Sequence, residues 1–287
     1  MIQDMHPSNN TNSIPWGVNT IGAPDLWDRS YHGEGTVVAI IDSGCDIHHR
    51  DLHSNIIDWF NFTDNNDPYV VQDTVSHGTH IAGIIAANNH SNGIIGVAPS
   101  TKLLILKAFD SVKINSFSAV IEAIYFAMNW KGKNGEKVNI INLSLGSTSE
   151  NPELKKALAR AKEENIFIVG ASGNYGSRND SPTKNVLYPS YFSEVIQVGA
   201  IDEDRKIAPF SNENDKLNFL APGVHVLSTA PNNKHVNLSG TSMAAAHVSG
   251  VLSLVLNIYS SDEINQVIKK QAKGENVSLV HCSTFVK

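Results

Sequence analysis

With 287 residues, of which 41% are hydrophobic and 17% charged, the chain carries enough apolar material for one large α/β domain or two small ones. Its formal net charge of −6 argues against a nucleic-acid partner, which calls for a basic stripe. No stretch reaches the roughly 18 apolar residues of a membrane span, and two distant cysteines, Cys45 and Cys282, are too few for a disulfide-stapled scaffold.

The polar arm at residues 1–13 lacks the basic and apolar blocks of a secretory signal, which predicts a cytoplasmic protein. Residues 14–287 read as one domain. Thr36–Ile41 is an apolar, β-branched run and predicts a buried strand. A loop is predicted over Thr63–Asp73, followed by a helix of small residues opening at His77. Leu103–Leu106 predicts another strand and Phe117–Met128 a helix. After a loop at Lys131–Lys137, Val138–Leu143 predicts a strand. Asn151-Pro152 supplies a cap and a first-turn proline for a helix over Glu153–Glu164. A strand over Ile166–Val169, a loop over Ser177–Asn185 and helices over Ser242–Tyr259 and Asp262–Ala272 complete the pattern. Continuously apolar strands alternating with helices indicate an α/β fold in three layers, a mainly parallel central sheet with helices on both faces.

In such sheets reactive groups collect beyond the carboxyl ends of the strands. The first strand runs into Asp42, which taken alone is explained equally well as a turn or capping aspartate. His77-Gly78-Thr79-His80 opens a helix whose small residues permit close packing on the sheet. Two histidines three apart suggest a metal pair, but the glutamate and the i,i+4 spacing of a zincin helix are missing. Ser242 stands just inside a helix start, where free backbone N–H groups and the positive dipole end surround its hydroxyl. A capping serine would occupy the same place. What separates these residues from their structural explanations is their conjunction. An Asp, a His and a Ser in this chain order, each at a strand end or helix start, follow the order found in subtilisin.

The segments VVAIIDSG, HGTHIAGIIAA and GTSMAAAHVSG resemble the three signature blocks of the subtilisin family of serine proteases. The similarity continues through IPWGVNTIGAPDLW, GVAPSTKLLILKAF, INLSLGS, GASGN, LYPSYFSEVIQVGAID and NFLAPGVHVLST. The resemblance implies a subtilisin-like fold and a serine endopeptidase working through an acyl-enzyme. Ser242 is then the nucleophile, His77 its general base and Asp42 the group that orients the imidazole. Asn174, in GASGN, falls where the family places the side-chain amide of its oxyanion hole. Substrate backbone is expected to pair with Ser144-Leu145-Gly146 as an added strand. That segment, Ala171-Ser172-Gly173 and the stretch before Tyr188-Pro189 wall the specificity pocket in this family. Tyr175 follows the oxyanion asparagine where relatives often carry an acid, and Leu187 stands where many carry glycine. Both predict a narrow, uncharged pocket with a preference for small or neutral side chains before the scissile bond. The implied partner is a peptide or protein, with neither nucleic acid nor membrane. No cofactor is implied for the chemistry, but a structural Ca2+ is, held through Asp51 and the loop Asn88–Gly93.

The chain also departs from the family pattern. Relatives usually carry proline where Ala246 stands, which predicts looser positioning of Ser242 and an acyl-enzyme more open to amine acceptors. Cys45 fits the Asp-Thr-Gly-Cys-Asp block of intracellular subtilisins, and both thiols are expected to be unpaired. Only about a dozen residues precede IPWGV, fewer than a pro-segment needs, which predicts unaided folding and restraint by narrow specificity. Two physiological readings follow: a cytoplasmic leader peptidase maturing one lanthipeptide-type precursor, and a general intracellular subtilisin. The rival from another class, a catalytically dead binding protein, would lack a triad member, and none is lost.

Overall fold

The computed structural model describes residues 14–63, 67–89, 93–110, 116–176, 186–271 and 277–285. Among these, the centre is a sheet of seven parallel strands: β1 (Val37–Asp42), β2 (Ile56–Asn61), β3 (Lys102–Lys107), β4 (Ile140–Leu143), β5 (Phe167–Ala171), β6 (Ile196–Ile201) and β7 (Phe219–Pro222), in the order β2-β3-β1-β4-β5-β6-β7. A short antiparallel hairpin, β8 (Val226–Ala230) with β9 (Lys234–Leu238), stands apart from it. The helices are α1 (Trp16–Thr20), α2 (His77–Ala86), α3 (Ser118–Asn129), α4 (Pro152–Glu163), α5 (Thr241–Val255) and α6 (Ser261–Gln271). None is long and apolar enough to cross a membrane.

Strand β1 shows why the buried strands read as unbroken apolar runs. Successive side chains point to opposite faces, and here both faces are covered. Val38 and Ile40 join a core with residues of α2, α5 and α6, whereas Val37, Ala39 and Ile41 join a second core with α3 and α4. The three layers expected from the sequence are these two cores and the sheet between them.

Helix α4 is amphipathic: Leu154, Ala157, Leu158 and Ala161 make one buried stripe. Its start is set as the sequence suggests, with Asn151 Oδ1 accepting from Leu154 N at 2.9 Å and Pro152 in the first turn. Helix α5 differs, because it is buried on every side and therefore shows no stripe. Alanine, serine and glycine let it lie across β4 to β7 and against α2. At Gly250 an added Cβ would come within 2.5 Å of Val97 Cβ, so only glycine fits.

The four strands expected from the sequence are β1, β3, β4 and β5, with no end shifted by more than two residues. Strands β2, β6, β7 and the hairpin were not legible, for local reasons. Half-exposed Asp58 and Trp59 interrupt β2, Gln197 and Gly199 break the apolar run of β6, and β7 ends on Pro222 at the sheet's margin. The helix expected to reach Tyr259 stops at Val255 and continues as a turn. The Lys131–Lys137 loop is present. The polar arm at 1–13, the Ser177–Asn185 loop and Ala272 lie outside the described residues, as does the middle of the Thr63–Asp73 loop.

Candidate active site

Asp42 ends β1 and His77 opens α2, so the strand edge and the helix start deliver both side chains to one place. His77 Nδ1 lies 2.7 Å from Asp42 Oδ1, and both residues are buried. Asp42 Oδ1 also accepts from Ser43 N at 2.7 Å. Burial alone would lower the His77 pKa, but the charge of Asp42 and its hydrogen bond outweigh burial, with Asp73 adding, and the pKa is raised. With Nδ1–H given to Asp42, the basic lone pair sits on Nε2, the tautomer a general base needs. Gly78 permits the approach: a Cβ there would fall 2.1 Å from the Gly44 carbonyl oxygen.

Ser242 is the second residue of α5. The helix has Gly240 at its N-cap position and no side-chain cap, so Ser242 is not spent as a capping serine. Its hydroxyl donates to the Ser144 carbonyl at 3.3 Å, and attack requires it to turn toward the imidazole across the same cleft. The carbonyl of Ser242 accepts from Ser144 Oγ at 3.2 Å, and that hydroxyl accepts from Asn142 Nδ2 at 2.9 Å. Asn142 Oδ1 in turn accepts from Ser249 Oγ at 2.9 Å, so α5 is tied to β4 and the residue after it at Ser242 and again two turns further on.

Asn174 is held by its carbonyl oxygen, which accepts from Thr241 N and Thr241 Oγ1, both at 2.9 Å. That arrangement fixes the amide's orientation and leaves its Nδ2 donor for a ligand in the cleft. The Thr241 hydroxyl also accepts from Gly173 N at 3.1 Å, and Gly173 has a left-handed φ of 114°.

One cleft of roughly 220 Å3 is lined by His77, Ser144, Leu145, Gly146, Gly173, Asn174, Tyr175, Leu187 and Ser242, together with Phe109, Ala171 and Thr241. Of the residues expected at the catalytic and substrate sites, Asp42, which sits behind His77, and the fully buried Ser172 do not line it. Leu187 is buried between the two glycines of the walls. A Cβ at Gly146 would meet Leu187 Cδ2 at 2.1 Å, and one at Gly173 would meet Leu187 Cδ1 at 2.9 Å. Paired hydrogen bonds of 2.8 Å between Ser147 and Tyr188 hold these walls together. Tyr175 is half exposed at the rim. Sequence reading missed Phe109 and Thr241. Phe109 lies just beyond the carboxyl end of β3, where the strand-end rule points, while nothing local distinguishes Thr241 from any helix-start threonine.

The remaining expectations fall elsewhere. His80 does not join His77: its Nε2 lies 3.0 Å from the Val226 carbonyl and 3.1 Å from that of Val236, clamping α2 to the β8–β9 hairpin. Both cysteines are free and buried, and burial pushes the Cys45 thiol well up and that of Cys282 up to about 12. Of the six to eight oxygens a Ca2+ site needs, Asp51 offers its buried Oδ1, which has no hydrogen-bond partner among the described residues. Its Oδ2 accepts from His235 Nε2 at 2.7 Å and from Ile94 N at 3.2 Å, so a histidine answers the carboxylate. Gly93 presses on it so closely that a Cβ would lie 1.9 Å from Oδ1. His90 and Asn92 of that loop lie outside the described residues, and no cluster of three His, Cys, Asp or Glu placed for a metal occurs among those described.

Ala246 is the sixth residue of α5 and wholly buried, in the second turn rather than the first. Helix geometry gives its N–H to the Ser242 carbonyl. Alanine here adds a restraint on the nucleophile's residue instead of loosening it, and Ala246 is not among the residues that line the cleft.

The family model described as the subtilase family matches residues 33–282. The intracellular serine protease of Paenibacillus polymyxa is 43% identical over 246 residues, covering 85% of this chain and 73% of that protein. The major intracellular serine protease of Bacillus subtilis is 41% identical over 247 residues, covering 85% and 75%. A subtilisin of Bacillus pumilus is 38% identical over 246 residues, covering 85% of each.

Proposed function

Because the chain belongs to the subtilase family and is a serine endopeptidase, we propose that it cuts extended peptides after small, uncharged side chains as a general protease inside the cell. Leu187 carries the specificity reading. Its methyl groups occupy the space between Gly146 and Gly173, so a side chain entering between those walls meets carbon within a short distance and finds no charged partner. The names of the two intracellular relatives support the compartment, and the general reading fits them. The dedicated leader-peptidase reading finds no support in them.

In the proposed reaction His77 takes the Ser242 proton as Oγ attacks the peptide carbonyl, while Asp42 holds the imidazolium. Asn174 Nδ2 and the Ser242 N–H receive the negative oxygen of the tetrahedral intermediate. The leaving amine takes the proton from His77, and water then repeats the sequence on the acyl-enzyme.

A peptide library profiled at the position before the cut tests this, with a fluorophosphonate probe reporting the nucleophile. Alanine, serine and glycine should dominate, and Leu187→Gly should admit leucine and phenylalanine. Labelling should vanish in Ser242→Ala. A wild-type profile led by arginine, lysine or large aromatics would sink the specificity reading and leave the endopeptidase intact.

A further inference from the structure

Asp73 is a second carboxylate buried at the centre, and the reaction above gives it no part. It is only 5% exposed, and all four hydrogen bonds to it come from donors. Oδ1 accepts from Ser43 Oγ at 2.9 Å and from Val75 N at 3.0 Å; Oδ2 accepts from Thr79 N at 2.9 Å and from Thr79 Oγ1 at 2.6 Å. Each carboxylate oxygen thus accepts two hydrogen bonds. Those partners belong to the two pieces of chain that carry the catalytic pair. Ser43 follows Asp42 directly, and its hydroxyl also accepts from Gly78 N at 3.0 Å, the residue after His77. Thr79 completes the same first turn of α2, and its hydroxyl accepts from Asp46 N at 3.0 Å. One carboxylate therefore bolts the end of β1 to the start of α2.

We propose that Asp73 is a positioning residue of the proteolytic centre, which sets the angle between Asp42 and His77 through Ser43 and Thr79 and contributes negative charge toward the imidazolium. This rests on the triad assigned above. The elements packed around it carry further charged and titratable groups. Asp42 comes from β1, Cys45 and Asp46 from the turn after it, and His77 from α2. From β3 comes Lys107, whose Nζ donates to the Ser43 and Gln72 carbonyls at 2.8 and 2.7 Å and pairs with Asp110 at 2.7 Å. Cys45 remains a neutral thiol, since burial and the nearby carboxylates raise its pKa. Asp73 is also among the charges that raise the His77 pKa, after the larger effects of Asp42.

Asp73→Asn keeps the shape, removes the charge and turns an amide N–H2 against donors. Activity needs neutral His77, so kcat/KM rises with pH through the His77 pKa; losing a nearby negative charge lowers that pKa. In Asp73→Asn the acid limb should therefore move down by about half a pH unit, and kcat per titrated site should fall about tenfold with KM within about twofold. Ser43→Ala cuts the link and keeps the charge, so it should lower kcat severalfold with a smaller shift of the limb. A merely structural Asp73 would leave fewer active sites, each with wild-type kcat and an unmoved limb, and that result overturns the proposal. Should Asp73→Asn fail to fold, unchanged kcat per site in Ser43→Ala overturns it instead. Activity surviving in Ser242→Ala would overturn the triad rather than Asp73.

Discussion

Asn174 spends its carbonyl oxygen on Thr241 and keeps its N–H2 for the cleft. The Asn174→Ala variant should lose about 10²–10³ in kcat with little change in KM, the size of loss seen on removing one such donor in subtilisin, a member of the same family. Burst titration with an activated ester would separate this from loss of folded enzyme, and a change confined to KM would count against an oxyanion role. Asp42, His77, Ser242 and Asn174, which the fold brings together, could be singled out as candidates from the sequence because each sits in a glycine-containing segment at a strand or helix end. Thr241 and Asp73 could not. Their roles arise from hydrogen bonds to residues that are neighbours only after folding, and a lone threonine or aspartate in a loop carries no pattern.

At the scale of elements, α5 decides how the nucleophile is presented. Sequence reading identified the helix by its small residues and expected Ala246 to loosen Ser242, whereas the residue is buried in the second turn with its N–H toward the Ser242 carbonyl. Since Ala246 is buried away from the cleft, Ala246→Pro should leave the partition of an acyl-enzyme between water and an added amine within about twofold of wild type. The substitution removes the N–H that the Ser242 carbonyl accepts, so stability should drop by about 1–3 kcal/mol, moderated by the Ser144 hydroxyl that the carbonyl also accepts. Product ratios from an activated ester with a glycinamide acceptor, alongside urea melts, measure both. A large fall in aminolysis would restore the sequence-based expectation, and a large rise would contradict both readings.

For the whole molecule, acid is the predicted weakness. Burial lowers the pKa of His80 to about 3 and that of His247 to about 4, from an ordinary 6.5. Both are therefore neutral in the folded protein and protonate first in the unfolded chain. Their contribution to stability is complete above pH 6.5 and falls as pH drops through the interval down to about 3 to 4, by about 1.4 kcal/mol per pH unit for each histidine once well inside it, while the raised pKa of His77 acts in the opposite sense. Urea unfolding of Ser242→Ala, which cannot digest itself, should show this decline between about pH 7 and pH 5; a flat profile would refute it. Chelation gives a separate measurement. With His235 paired to Asp51, EDTA should shift Tm by less than about 2 °C, whereas a stabilising ion held well above its Kd would add several degrees. The layered architecture was legible because buried parallel strands announce themselves. The hairpin and the marginal strands were not, because polar residues there serve contacts across the fold.

The placement of the nucleophile on α5 has a consequence for biosynthesis. Asp42 and His77 leave the ribosome before Ser242, which follows His77 by 165 residues (242 − 77) and arrives on the helix that closes one face of the sheet. A nascent chain stopped before residue 241 has neither the nucleophile nor the cover for β4 to β7. On the proposed triad, translation order acts as a timer: the growing polypeptide cannot cut itself or its neighbours until α5 has been made.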